Sequence, residues 1–150
     1  MIQNDRQYRV SKAQAKKFED ALAELLASPP DRRIHPRLRQ VQVDAVRGQF
    51  EELRTQIADY ETLRSGQQSV LPWRSFADLP DLLIRARIAR GLSQRQLAER
   101  LGLKEQQVQR YEATGYAGAS LTRLAQVINA LGLEVRGDVA LAAREGRGRM

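Results

Sequence analysis

The stretch from Ser93 to Lys104 constrains the chain more than any other. Ser93 and Gln96 have the spacing of a capping box, in which a hydroxyl and a side-chain amide satisfy backbone N–H groups that the first helical turn leaves free. Leu97 and Leu101 follow on one face, and Gly102 stands where a helix ends in a left-handed turn. A second short helix resumes over Glu105 to Glu112 with Val108 and Tyr111 inward. The joint Gly102-Leu103-Lys104 makes two short helices meet at a sharp corner, and the small Ala98 lets the second approach the first closely.

The flanking sequence completes a helical bundle. Pro80 opens a helix through Leu83, Ile84 and Ile88 that stops at Gly91. Ser120 caps a last helix with Leu121, Leu124, Val127, Ile128 and Leu131 on its buried face, ended by Gly132. Leu133 to Leu141 has partial β character around Leu133-Glu134-Val135, read as a short strand or extended segment. The Arg- and Gly-rich stretch 144–150 is a loose tail.

The first half reads as a helical hairpin. Ser11 and Gln14 form another capping box, and Ala15, Phe18, Leu22 and Leu25 make one apolar stripe that Ser28-Pro29-Pro30-Asp31 ends. A longer helix begins with Pro36 in its first turn and carries Val43, Val46, Phe50, Leu53, Ile57 and Tyr60 in steps of 3 and 4. Arg64 lies in its last turn and Gly66 just beyond. Such a pair has too little core to stand alone, so it packs on the second half, on a second copy or on a partner protein. The expected architecture is all-α: a hairpin over 1–66, a Pro-interrupted linker over 67–79, a helical bundle over 80–143 and the tail over 144–150.

Composition removes several function classes. The 150 residues include no cysteine, which excludes disulfides, thiolate metal sites and cysteine nucleophiles. The single histidine, His35, cannot build a multi-histidine metal centre. The longest apolar run, Val139 to Ala143, is far short of the roughly 18 residues of a membrane span, and the N-terminus shows no apolar signal core. No phosphate-cradling glycine loop or nucleophile elbow is present, and the adjacent Glu51 and Glu52 point in different directions on their helix. The reading is a cytoplasmic non-enzyme without metal or cofactor. The net charge of +7 favours a polyanionic partner, and most of the excess lies after residue 70.

Gly91-Leu92-Ser93-Gln94, Leu97-Ala98, Leu101-Gly102-Leu103, Val108 and Tyr111-Glu112 together resemble the phage-repressor-like helix-turn-helix family, the XRE or Cro/C1 type. The resemblance covers roughly residues 79 to 135. It implies that the helix from Glu105 enters the major groove of duplex DNA. It places Glu105, Gln106, Gln107 and Arg110 at or near base edges, where glutamine suits adenine, arginine guanine and glutamate cytosine. Ser93, Gln94, Arg95 and Lys104 are the implied phosphate contacts, with Gln94 also buttressing the recognition helix. Arg87 and Glu112 fall where family members form a partly buried ion pair between the first helix and the recognition helix.

Each residue also has a plainer reading. Gln106 and Gln107 suit an ordinary solvated helix face, Glu105 suits the positive end of a helix, and Ser93 suits a simple cap. The segment Ala113 to Ser120 departs from the family in carrying two glycines and an exposed-looking tyrosine, Tyr116. Its backbone N–H groups are candidates for holding a phosphate, and Tyr116 for a dimer contact or for packing. The hairpin, with its Asp-Tyr-Glu-Thr-Leu segment at 59–63, resembles HigA-type antitoxins. That resemblance implies a homodimeric repressor that binds its operator and a cognate toxin. The alternative is a protein-interaction module of helix-turn-helix shape that reads no sequence.

Overall fold

The structure, a computed structural model, describes residues 1–141. The tail 144–150 and the last two residues of the expected bundle lie outside them. Among the described residues six α-helices follow one another: α1 Asp5–Ala27, α2 Pro36–Arg64, α3 Leu79–Ala89, α4 Gln94–Leu101, α5 Glu105–Ala113 and α6 Leu121–Ala130. A single 3-10 turn, Phe76–Asp78, leads into α3. The described residues contain no strand.

Helix α1 starts six residues before the expected Ser11 cap. The Asn4 side chain accepts from the Gln7 backbone N–H at 2.9 Å, and Gln7 Oε1 accepts from the Gln3 N–H at 2.8 Å. This earlier Asn-x-x-Gln box does the capping, and no glycine or proline separates it from Ser11, so the helix runs through. At the far end Ser28 adopts the extended conformation required before Pro29. The lone histidine is a cap: His35 Nδ1 accepts from the Arg37 N–H at 3.2 Å, with Pro36 as the first residue of α2.

The two long helices pack antiparallel, with Ala15 and Val43 buried between them. At 29 residues α2 is about 43 Å long. Of the three expected resting places for the hairpin, the structure shows the second half of the same chain. Tyr60 and Leu63, near the end of α2, share one continuous apolar core with Leu83, Leu97, Val108, Val127 and Leu131. Ile2, ahead of α1, is 3% exposed within the same core. Polar contacts lock the junction. Asp5 accepts from the Tyr60 hydroxyl at 3.0 Å and from Arg64 Nη1 at 2.8 Å. The Tyr8 and Tyr60 rings stack at 5.1 Å, and the Tyr8 hydroxyl donates to Glu61 at 2.5 Å.

Of the two readings of the stretch near Leu133, a short strand or an extended segment, the structure shows the extended segment. After the left-handed Gly132 it meets no second strand among the described residues, and an isolated strand cannot form a ladder. A tryptophan from the linker holds it instead. Trp73 Nε1 donates to the Arg136 carbonyl at 3.1 Å, and a Cβ at Gly137 would come within 3.2 Å of the indole ring. Linker and C-terminal segment thus brace each other.

A core that includes residue 2 predicts a mutational effect far from the short helices in sequence. Ile2→Ala should cost about 2–4 kcal/mol in denaturant unfolding, with one cooperative transition for the whole chain. Two separate transitions, or no loss, would show the hairpin to be an independent unit.

Candidate nucleic-acid interface

The local sequence dictates the corner between α4 and α5. Ser93 Oγ accepts from the Gln96 N–H at 3.1 Å and Gln96 Oε1 accepts from the Ser93 N–H at 2.9 Å, the reciprocal box expected there. Gly102 takes φ 64°, and the Leu103 N–H then closes onto the Ala98 carbonyl at 2.9 Å. A side chain at 102 would be strained, because the left-handed region costs an ordinary residue about 1–2 kcal/mol. Ala98 is 1% exposed at the crossing.

One buried ion pair fixes the pose of α5. Glu112 accepts from Arg87 Nε at 2.5 Å and from Nη2 at 2.7 Å, and both side chains are almost wholly buried. The expectation was a partly buried pair. The burial is complete because α3 and α5 close on it from either side and the N-terminal segment seals it. Every remaining polar atom is satisfied. Gln94 Nε2 donates to Glu112 at 2.8 Å, Arg87 Nη1 to the Leu92 carbonyl at 2.8 Å, and Arg87 Nη2 to the Gln3 carbonyl at 2.7 Å. An arginine fork with this geometry fixes orientation as well as charge. Sequence reading could not have found Gln3, because the contact is made by its backbone and carries no residue signal.

Anchored so, α5 buries Val108 and Glu112 and turns a polar face outward. Glu105 opens the helix and accepts from Gln109 Nε2 at 3.1 Å, which joins these two along one edge. Gln106 and Arg110, one turn apart, lie along the other exposed edge. Among the described residues neither side chain makes a hydrogen bond or ion pair. Gln106 shares a shallow groove between α4 and α5 with Arg95, Lys104 and Glu105. Arg95 is exposed and paired with Glu99 at 3.1 Å, while Lys104 is exposed and has no ion pair among the described residues.

The other site residues take more local places. Gln107 is exposed, but its Oε1 caps α5 by accepting from the Lys104 N–H at 2.9 Å. Gln94 is buried at 7% exposure, with its amide committed to Glu112. Gln106, Lys104 and Arg110 therefore remain as free-ended groups on the outer surface, Arg95 is exposed but paired with Glu99, and Ser93 and Gln107 are caps.

Tyr116 differs from its exposed reading. It is 5% exposed, with its ring parallel to that of Tyr111 at 5.7 Å, so packing is its role. Burial pushes its hydroxyl pKa well above the ordinary tyrosine value, and the nearby Glu112 carboxylate adds to the effect. Tyr116 also holds φ 57°, beside Gly115 at 58°. The N–H groups of residues 115, 116, 117 and 119 all donate to carbonyls of residues 111–116, so most of the candidate phosphate donors in this turn are already used within it.

Residues 83–137 match the family model described as Helix-turn-helix, just over a third of the chain. Over these residues the protein is a helix-turn-helix domain, similar to a family of DNA-binding regulators. No curated protein and no solved structure matches the chain. No helix among the described residues is long and apolar enough to cross a membrane.

The buried pair predicts an asymmetric mutational response. Glu112→Ala strands the Arg87 charge and should cost about 3–5 kcal/mol. The double variant Arg87→Met/Glu112→Leu should recover most of that loss in thermal unfolding. Equal destabilisation by the single and double variants would show that the pair does not carry the packing.

Proposed function

We propose that this protein is a sequence-specific DNA-binding transcriptional repressor, acting in the cytoplasm as a homodimer, and that it serves as the antitoxin of a toxin–antitoxin pair and represses its own operon. It needs no cofactor and catalyses no reaction. The observation that carries the DNA reading is the outward edge of α5. There Gln106 and Arg110 stand with unsatisfied donors and acceptors beside the cationic Lys104 and Arg95, on a helix held rigid from behind.

The mechanism follows from that placement. A helix of the size of α5 fits the major groove, where glutamine can meet adenine through two hydrogen bonds and arginine can meet guanine likewise. Gln106 and Arg110 are the base readers on this account. Glu105 has its carboxylate shared with Gln109 and reads a cytosine amine only at the groove edge, and Gln107 contributes through the cap. Lys104 and Arg95 neutralise phosphates on either side of the corner, Ser93 and Gln94 bring the start of α4 to the backbone, and none of these four discriminates sequence. One such helix spans only a few base pairs, so specificity calls for two copies across half-sites about 34 Å apart.

The layout supports the antitoxin role. The hairpin joins the DNA-binding half at one end, and its other end carries exposed Leu26, Leu38 and Val41. That end stands clear of α5 and leaves room for a toxin while DNA is bound. Co-expression with the product of the neighbouring gene tests this part: a stable complex that shifts the same operator is expected, and no complex removes the antitoxin role while leaving the repressor.

Selection from random duplexes tests the DNA reading and supplies the operator. On that operator Gln106→Ala should lose about 1–3 kcal/mol of binding, with little change on random DNA. An equal loss on both would remove the base-reading assignment. Arg95→Ala and Lys104→Ala should each weaken binding to any sequence and flatten the salt dependence by about one unit of slope. Unchanged slopes in titrations from low to physiological salt would remove the phosphate contacts.

A further inference from the structure

A cleft of about 890 Å³ separates the first turns of α1 from the helix-turn-helix, and the proposed function uses only its helix-turn-helix wall. Arg6, Gln7 and Val10 line one wall; Ser93 and Gln96 at the start of α4, with Gln109 on α5, line the other. Resting on the DNA reading above, we propose that the Arg6 side of α1 is a second contact with the same duplex, and that it grips the sugar–phosphate backbone of the strand running past the start of α4.

Two observations choose this occupant. The first is charge. From residue 5 to 17, α1 holds five basic side chains and one acid, Asp5, which Arg64 and Tyr60 already occupy. From 18 to 27 it holds three acids and no base. The basic end is therefore the end that abuts the helix-turn-helix. Arg6 and Lys17 are exposed, form no ion pair among the described residues, and fall on one face of the helix with Val10 between them.

The second is continuity. The cleft is shared by Arg6 and by Ser93, one of the candidate phosphate contacts, so a strand held at the start of α4 passes its mouth. The acidic group on the opposite wall, Glu105, is bonded to Gln109. Lys16 lies about a quarter-turn away from the Arg6 face and is bound to Glu19 and Asp20, at 3.5 and 2.8 Å. It serves as an internal control.

Salt titrations of duplex binding by the full chain test the inference, using the selected operator and a random duplex of equal length. Arg6→Ala should lower the slope of log affinity against log salt by about 0.9 on both duplexes. Adding Lys17→Ala should roughly double that change, and Lys16→Ala should leave the slope alone. Arg6 is exposed, so the melting temperature of Arg6→Ala should match the parent. If the parent binds duplex and Arg6→Ala keeps the parent slope, the second contact is overturned and the repressor reading stands. If Arg6→Ala keeps the slope and loses binding to an acidic protein partner, the face belongs to that partner and the inference fails likewise. A parent protein that binds neither duplex at low salt removes the DNA reading itself.

Discussion

The architecture depends on a carboxylate and a guanidinium meeting away from water. Glu112 and Arg87 are nearly inaccessible, and a lone buried charge costs several kcal/mol, so each residue makes the other tolerable. Five hydrogen bonds from α3, α4, α5, the turn at Leu92 and the N-terminal segment converge on the two side chains. A pair satisfied in this way adds little stability over well-packed apolar residues, but it admits one geometry. What it supplies is orientation: α5 cannot rotate without unpairing a buried charge.

The same pair explains why the hairpin is more than an appendage. Arg87 reaches the Gln3 carbonyl, Ile2 lies in the shared core, and Asp5 binds Tyr60 and Arg64 at the end of α2. Residues 2–5 are thus clamped between the hairpin base and the back of α5. A partner that bends the hairpin would pull on the segment that seals the buried pair. Helix α5 and the elements that carry it share one continuous core.

Much of this was legible residue by residue, because local chemistry is written in short spacings. The Ser93–Gln96 box, the left-handed Gly102, Pro36 in the first turn of α2 and the Ser120 cap all stand where the sequence placed them. The Arg87–Glu112 pairing was also expected, through resemblance rather than spacing, since 25 residues separate the partners. Two boxes competed for the start of α1, and the earlier one prevailed because nothing between Asn4 and Ser11 interrupts a helix. Tyr116 misled for a different reason. A tyrosine between glycines looks like a loop tip, and only the turn at φ 57° brings its ring beneath Tyr111. Glutamine is ambiguous in a linear reading: Gln94, Gln106 and Gln107 became a buttress, a free outward group and a cap.

Sequence by itself determined the helices, most of their ends and the corner between α4 and α5, since each arises from contacts within a few residues. Tertiary structure alone decided that the hairpin folds back on its own chain, that the first residues seal the arginine, and that Arg6 borders the same cleft as α5. Those outcomes depend on which apolar faces meet and which backbone carbonyl lies within reach of a buried charge. Contacts between residues 84 positions apart, one of them made by a bare carbonyl, leave no pattern along the chain.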